Sequence, residues 1–322
     1  MSDAGSPALQ AWPGEPESLV VTLDTGERIH YLDWGGPDGA PARPQPPPLL
    51  LVHGLSQTAW AWTPVARRLR NMTRVLAMDL RGHGLSESPR TGYGLGSQAF
   101  DALTVLAANG WGREVGGPPA VVAGHGLGAL VAATMAGLQP ESVSALALVD
   151  AGWEDVGEAT GQTPAQLEQT LGDPPEVLVS METFLVDRRE FDPPSWDADQ
   201  ERAARATVDP KHAGHVAPVA RSHALRGGVA AMFEYSPLDA LVDLPQPLLV
   251  AVAESGAADD EAVRERRLVL EELIGSRQAS GNWAPVRVER YRGAGHNLMR
   301  YRPVELSRAL AELLADAAYQ RS

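Results

Sequence analysis

The 322-residue chain contains no cysteine. That excludes disulfides, thiolate metal sites and a cysteine nucleophile together, and leaves the redox compartment unmarked by thiols. The opening residues, MSDAGSPALQAWPGEPES, lack the basic and apolar stretches of a secretory signal. No apolar run reaches the length needed to span a bilayer. A soluble, cytoplasmic protein is therefore expected. Positive charge is also short: 27 Lys and Arg stand against 41 Asp and Glu, for a net charge of −14 and a pI near 5.0. A phosphate backbone or an anionic bilayer repels such a surface, so neither nucleic acid nor membrane is an expected partner. The chain has no Walker-type phosphate loop and no H-E-x-x-H pair. His212, His215 and His223 are isolated, and Gly214 and Pro218 argue against a regular helix that would bring them together. The segment Gly124-His125-Gly126-Leu127-Gly128 has the wrong spacing for a dinucleotide fingerprint. No metal and no cofactor are expected.

What is present is a large core and a repeating unit. Hydrophobic residues make up 44% of the chain, enough for one sizeable domain carrying an insertion. Residues 1–17 are rich in Pro, Gly and Ser and read as a loose tail. Leu19, Val21 and Leu23 alternate up to the turn Asp24-Thr25-Gly26, and a second run follows from Ile29 to Trp34, which together predict an antiparallel hairpin. After the proline-laden stretch 35–47 come short apolar runs that end at turn signals: Pro48–Val52, Arg74–Met78, Ala120–Ala123, Val143–Val149, Leu248–Ala253 and Val286–Tyr291. Helical patterns alternate with them, among them Leu127 to Leu138. This βα rhythm predicts a mainly parallel, twisted sheet with helices on both faces. A last helix should start near Pro303 and bury Leu306, Leu310, Leu313 and Ala317 on one face. Residues 151–242 break the rhythm with Pro-rich acidic loops and helical patches such as Trp196–Thr207. They read as a mostly helical insertion, a lid over the carboxyl ends of the strands, leaving 18–150 and 243–322 as the core.

Four segments carry chemistry. Leu51-Val52-His53-Gly54-Leu55, Met78-Asp79-Leu80-Arg81-Gly82-His83-Gly84-Leu85-Ser86, Val122-Ala123-Gly124-His125-Gly126-Leu127-Gly128 and Gly293-Ala294-Gly295-His296-Asn297-Leu298 follow one another, each at the end of an expected strand. In this order they resemble the α/β-hydrolase superfamily: its oxyanion loop, its D-x-R-G-x-G-x-S loop, its nucleophile elbow G-x-S-x-G and its histidine loop. The resemblance runs from about Leu19 to Leu314 and implies the α/β-hydrolase fold. At the elbow, however, the nucleophile position holds Gly126. An elbow side chain stands in a strained backbone conformation that glycine adopts freely, so the turn is kept while the nucleophile is gone. Gly124 and Gly128 suit close strand–helix packing.

By the same resemblance His296 is the base, and the amides of Leu55 and Leu127 form the oxyanion hole. The orienting acid stays open. A simple alignment puts Gly256 at one acid position, with Glu254, Asp259 and Asp260 nearby, whereas Asp150 matches an alternative position used by some relatives. His53, Gly54, His125 and Trp153 are expected around the pocket, with His53 and His125 positioning loops. His83 should brace its loop, Ser86 should cap a turn, and Trp60 and Trp62 should pack the following helix, unless one of them lines the pocket. Met181, Phe184, Trp196, Met232, Phe233 and Tyr235 offer an apolar roof or the lid's own core. Three functions compete. One is an enzyme acting on a small ester, lactone or epoxide, or running a lyase or cyclisation step, with His296 as general base. The second is a non-catalytic pseudoenzyme that binds a small apolar or ester-like molecule. The third is an ordinary serine esterase whose nucleophile has been exchanged for glycine. Oligomeric state is not legible.

Overall fold

The expected hairpin is formed by β1 (Glu17–Thr22) and β2 (Arg28–Asp33), antiparallel from Glu17 opposite Asp33 to Thr22 opposite Arg28. It seeds one edge of an eight-stranded sheet in a computed structural model that describes residues 14–37, 46–171, 180–211, 214–256 and 260–319. The expected tail lies almost entirely outside the described residues. The remaining strands are β3 (Leu49–Val52), β4 (Val75–Met78), β5 (Ala120–His125), β6 (Val143–Val149), a separate antiparallel pair β7 (Val208–Pro210) and β8 (Val216–Pro218), then β9 (Leu248–Glu254) and β10 (Val286–Arg292). The sheet order is β1-β2-β4-β3-β5-β6-β9-β10. β2 meets β4 antiparallel, and all pairings from β4 through to β10 are parallel.

Parallel strands need crossover connections, and helices supply them. α1 (Thr63–Leu69), α2 (Leu95–Ala108) and α3 (Leu127–Leu138) come first. α4 (Val156–Thr160), α5 (Pro164–Leu171), α6 (Met181–Phe191), α7 (Ala198–Ala206), α8 (Ser222–Phe233) and α9 (Pro237–Leu241) follow, then α10 (Glu261–Ala279), α11 (Leu298–Tyr301) and α12 (Pro303–Tyr319). Side-chain alternation splits the core into two layers. Leu50, Val52, Val122, Leu146 and Val250 face α2, α3 and α10, whereas Leu49, Leu51, Val121, Ala145 and Leu249 face α1 and α12. The face of α12 read from its spacing is the buried one: Leu306, Leu310, Leu313 and Ala317 all lie in the second layer.

The segment 151–242 holds α4 to α9 and the short β7–β8 pair, which stays apart from the main sheet. Its own small core joins Phe184, Val208 and Val216. Helix α3 packs tightly against the sheet. A Cβ at Gly124 would run into the Gly128 carbonyl, and one at Gly128 into the Val52 carbonyl, so these two glycines set how closely strand and helix approach. Among the described residues no helix is long and apolar enough to cross a membrane.

Candidate active site

The parallel strands end on one side of the sheet, and their following loops converge there. Gly54 and Leu55 follow β3, Gly126 links β5 to α3, Asp150 follows β6, and His296 precedes α11. His296 Nδ1 lies 2.7 Å from Asp150 Oδ2. The other carboxylate oxygen of Asp150 accepts the Ala253 amide at 2.8 Å and the Arg266 guanidinium at 3.0 Å. Asp150 itself sits at φ 51°, left-handed backbone that Asp tolerates better than most residues. With one oxygen held by two donors, the other points at the imidazole and fixes its tautomer. In the neutral ring Nδ1 then carries the proton, and the lone pair of Nε2 is left for chemistry.

That lone pair faces residue 126. Gly126 has φ 53° and ψ −126°, a conformation that would strain any side chain. A Cβ built there would meet Gly54 Cα at 3.4 Å and His296 Nε2 at 3.5 Å, ordinary van der Waals contact. Among the described residues the amides of Leu55 and Leu127 have no acceptor in the protein. Leu127 is the first residue of α3, where amide and helix dipole both favour an incoming negative charge.

The surrounding shell holds the loops in place. The Gln57 side chain accepts the Gly54 amide at 3.0 Å, contacts His125 Nδ1 at 3.1 Å and donates to Asn297 Oδ1 at 2.6 Å. His125 Nε2 meets the His296 carbonyl at 3.1 Å, and the two rings lie 4.4 Å apart. Burial, and then the neighbouring His296, hold the His125 pKa well below the usual imidazole range. On α10, Arg266 clamps Asp150 and Glu154 together, donates to the Ala253 carbonyl at 2.9 Å and lies 5.2 Å from the Trp153 ring centre. Burial works against its charge, but the hydrogen bond it donates to Glu154, with Asp150 beside it, more than compensates and keeps Arg266 protonated.

Of the four carboxylates left open by the sequence, the structure brings Asp150 to His296. Glu254 is buried against Arg267 at 3.0 Å, with Arg290 at 3.5 Å. Asp260 caps α10 through the Ala262 amide, and Asp259 lies outside the described residues. Two expected pocket residues are corrected. His53 is fully buried beneath the loop, where it donates to the Gly54 carbonyl and accepts the Leu80 amide. Trp153 is buried in the core under Arg266. Neither lines the cavity, because each faces into the sheet-side packing. His83 bridges Arg81 and Ser56, and Ser86 bonds the Asp79 carbonyl and the His30 amide. Trp62 is buried, and Trp60 packs on Trp34 and Arg202 rather than lining the cavity.

The cavity has a volume of about 990 Å³ and runs from Gly54, His125, Gly126 and His296 up to the segment 151–242. Of the six roof candidates, Phe184, Trp196 and Met232 line it. Tyr235 instead turns its hydroxyl to the Gly152 carbonyl, 2.9 Å away. Arg188, Arg266 and Arg300 add positive charge to the walls. Sequence reasoning missed Arg266 and Gln57. Arg266 sits in a charged run that reads as a solvated helix face, and Gln57 is one residue among loop polars. His223 bonds Ser88 at 3.2 Å, and His212 lies outside the described residues. Among those residues no three metal-ligating side chains converge.

The model of the alpha/beta hydrolase family matches residues 49–309. The chain is 32% identical over 104 residues to 2-(acetamidomethylene)succinate hydrolase from Mesorhizobium japonicum, a match covering 32% of this chain and 35% of that enzyme. It is 31% identical over 205 residues to pimeloyl-[acyl-carrier protein] methyl ester esterase from Klebsiella pneumoniae, covering 62% of this chain and 72% of the esterase. The match thus spans about a third of the length of the first relative. A crystal structure of E-2-(acetamidomethylene)succinate hydrolase superposes with a TM-score of 0.73 and 22% identity, over 93% of this chain and 99% of that one.

Proposed function

The chain belongs to the alpha/beta hydrolase family, and from that premise we propose that it hydrolyses a small ester, lactone or epoxide without forming a covalent enzyme intermediate. The observation that carries this reading is the His296–Asp150 pair at 2.7 Å, aimed at a glycine. With residue 126 lacking a hydroxyl, the nucleophile is water. His296 Nε2 removes a proton from that water as its oxygen bonds to the electrophilic carbon. The amides of Leu55 and Leu127 take up the charge on the developing oxyanion. His296 then returns the proton to the leaving oxygen. The same base suits proton removal from a substrate carbon, as a lyase or cyclisation step requires.

The cavity supports a small, partly apolar ligand, and the walls between Phe184 and Met232 supply the apolar surface. A second reading, a binding protein without turnover, is favoured by Gly126 itself, since the fold's usual covalent step has no atom to begin from. One experiment separates them. A panel of lactones, epoxides and esters is assayed with the wild-type chain and with His296→Ala. Turnover in the wild type that falls at least a hundredfold in the variant supports the water mechanism. No turnover on any member, together with ligands that raise the melting temperature by binding the folded state, replaces it with the binding reading.

A further inference from the structure

Four strands across the sheet from Gly126, a serine–histidine–aspartate chain lies at the β1–β2 edge. Ser18 Oγ is 2.8 Å from His30 Nε2, and His30 Nδ1 is 2.7 Å from Asp79 Oδ2. We propose that Ser18 is a nucleophilic acylation site, activated by His30 and accepting acyl or phosphonyl groups from activated esters. This inference is independent of the reading of the pocket, because neither Gly126 nor His296 takes part.

The protonation pattern follows from counting donors. Asp79 already accepts the Ala59 amide at 2.6 Å and the Leu85 amide at 2.9 Å. Burial pushes its carboxyl up, but the hydrogen bond from His30, the nearby His53 and the Ala59 amide outweigh it and hold the group below the usual carboxylate range. Asp79 is therefore an acceptor, and His30 Nδ1 must be the donor. In the neutral ring Nε2 then carries the lone pair and accepts the Ser18 hydroxyl proton, the arrangement in which an imidazole serves as base. His30 cannot drift from this pose. Its ring is 1% exposed, its amide donates to Ser86 Oγ at 2.9 Å, and its carbonyl accepts the Asp79 amide at 2.9 Å. The base is buried and rigid, whereas Ser18 is exposed on the edge strand. A structural brace does not need its terminal hydroxyl at the surface; a nucleophile does.

The step balances with no outside reagent beyond the ester. Ser18 Oγ bonds to the acyl carbon while its proton passes to His30 Nε2, and Asp79 steadies the imidazolium. The bond from the acyl carbon to the leaving oxygen breaks, and that oxygen takes the proton from His30. The products are an ester on Ser18 and a free alcohol or phenol. With a fluorophosphonate the phosphorus–fluorine bond breaks instead, and fluoride leaves with the proton.

The test treats the full chain with a fluorophosphonate and, separately, with p-nitrophenyl acetate, followed by intact mass and peptide mapping. One adduct per chain on the peptide holding Ser18 is expected, absent in Ser18→Ala and formed at least tenfold more slowly in His30→Gln. Because His30 is buried, a second readout covers the case in which that variant folds poorly. The chain has no cysteine, so Ser18→Cys and Val20→Cys each carry a single thiol on the same face of β1. Alkylation by iodoacetamide at pH 6 should run at least tenfold faster at position 18, where the imidazole takes the thiol proton. Equal alkylation rates, no adduct in the wild type, or a label that persists in Ser18→Ala would overturn the proposal.

Discussion

Gly126 combines two properties that usually exclude each other: a backbone poised to present a side chain and no side chain to present. Its φ of 53° would cost a serine on the order of 1–3 kcal/mol, yet a Cβ there meets its neighbours at normal contact distance. Gly126→Ser should therefore fold, melt several degrees lower, and place a hydroxyl against His296 Nε2. We expect that variant to gain p-nitrophenyl ester turnover sensitive to phosphonate labelling at position 126. Colorimetric assay and peptide mapping check it, in a Ser18→Ala background so that the surface serine does not contribute. A folded variant with no gain would mean that His296 and the amides of Leu55 and Leu127 are not set for acyl transfer.

At the scale of elements, periodicity made much of the molecule legible. The alternation in β1 and β2, the apolar runs of β3 to β6, and the spacing along α12 all have short-range causes that a sequence displays. On α12 the consequence is measurable. Leu310→Ala empties a fully buried position between the helix and the sheet and should cost about 2–5 kcal/mol. Val304→Ala on the same helix, at 55% exposure, should leave the urea midpoint almost unchanged. Losses of similar size in both would contradict the one-sided burial. The β7–β8 pair escaped notice because its strands are three residues long and each ends in proline. Arg266, Gln57 and the Ser18–His30–Asp79 chain escaped for a different reason: strand pairing and helix docking unite partners 12 to 240 residues apart. Motif order led to Gly126 and His296, but the choice of Asp150 over Glu254 needed the arginines that occupy each.

For the molecule as a whole, several buried imidazoles make stability depend on pH. Burial, then the neighbouring His53, lower the His83 pKa to about 4. Burial also lowers His53 and His125. Unfolded, each titrates near 6.5, so between that value and the folded one the unfolded chain binds more protons. Stability is thus fully present above about pH 6.5 and is lost as the pH falls towards 4, with His83 alone accounting for roughly 3 kcal/mol. The depressed Asp79 extends the loss to lower pH in the same direction. The urea midpoint should fall steadily from pH 7 to pH 5, and His83→Asn should flatten that slope. A midpoint constant over this range would show that these rings are solvated in the folded state.

The clamp on Asp150 also bears on when this protein becomes competent. Its partners Arg266 and His296 lie 116 and 146 residues further along the chain. At about 5–20 residues per second of synthesis, Asp150 is made several seconds or more before either of them exists. Throughout that interval the carboxylate has neither guanidinium nor imidazole, and the nascent pocket has no base. Whatever reaction the folded molecule runs, the growing chain is silent at least until His296 has been made.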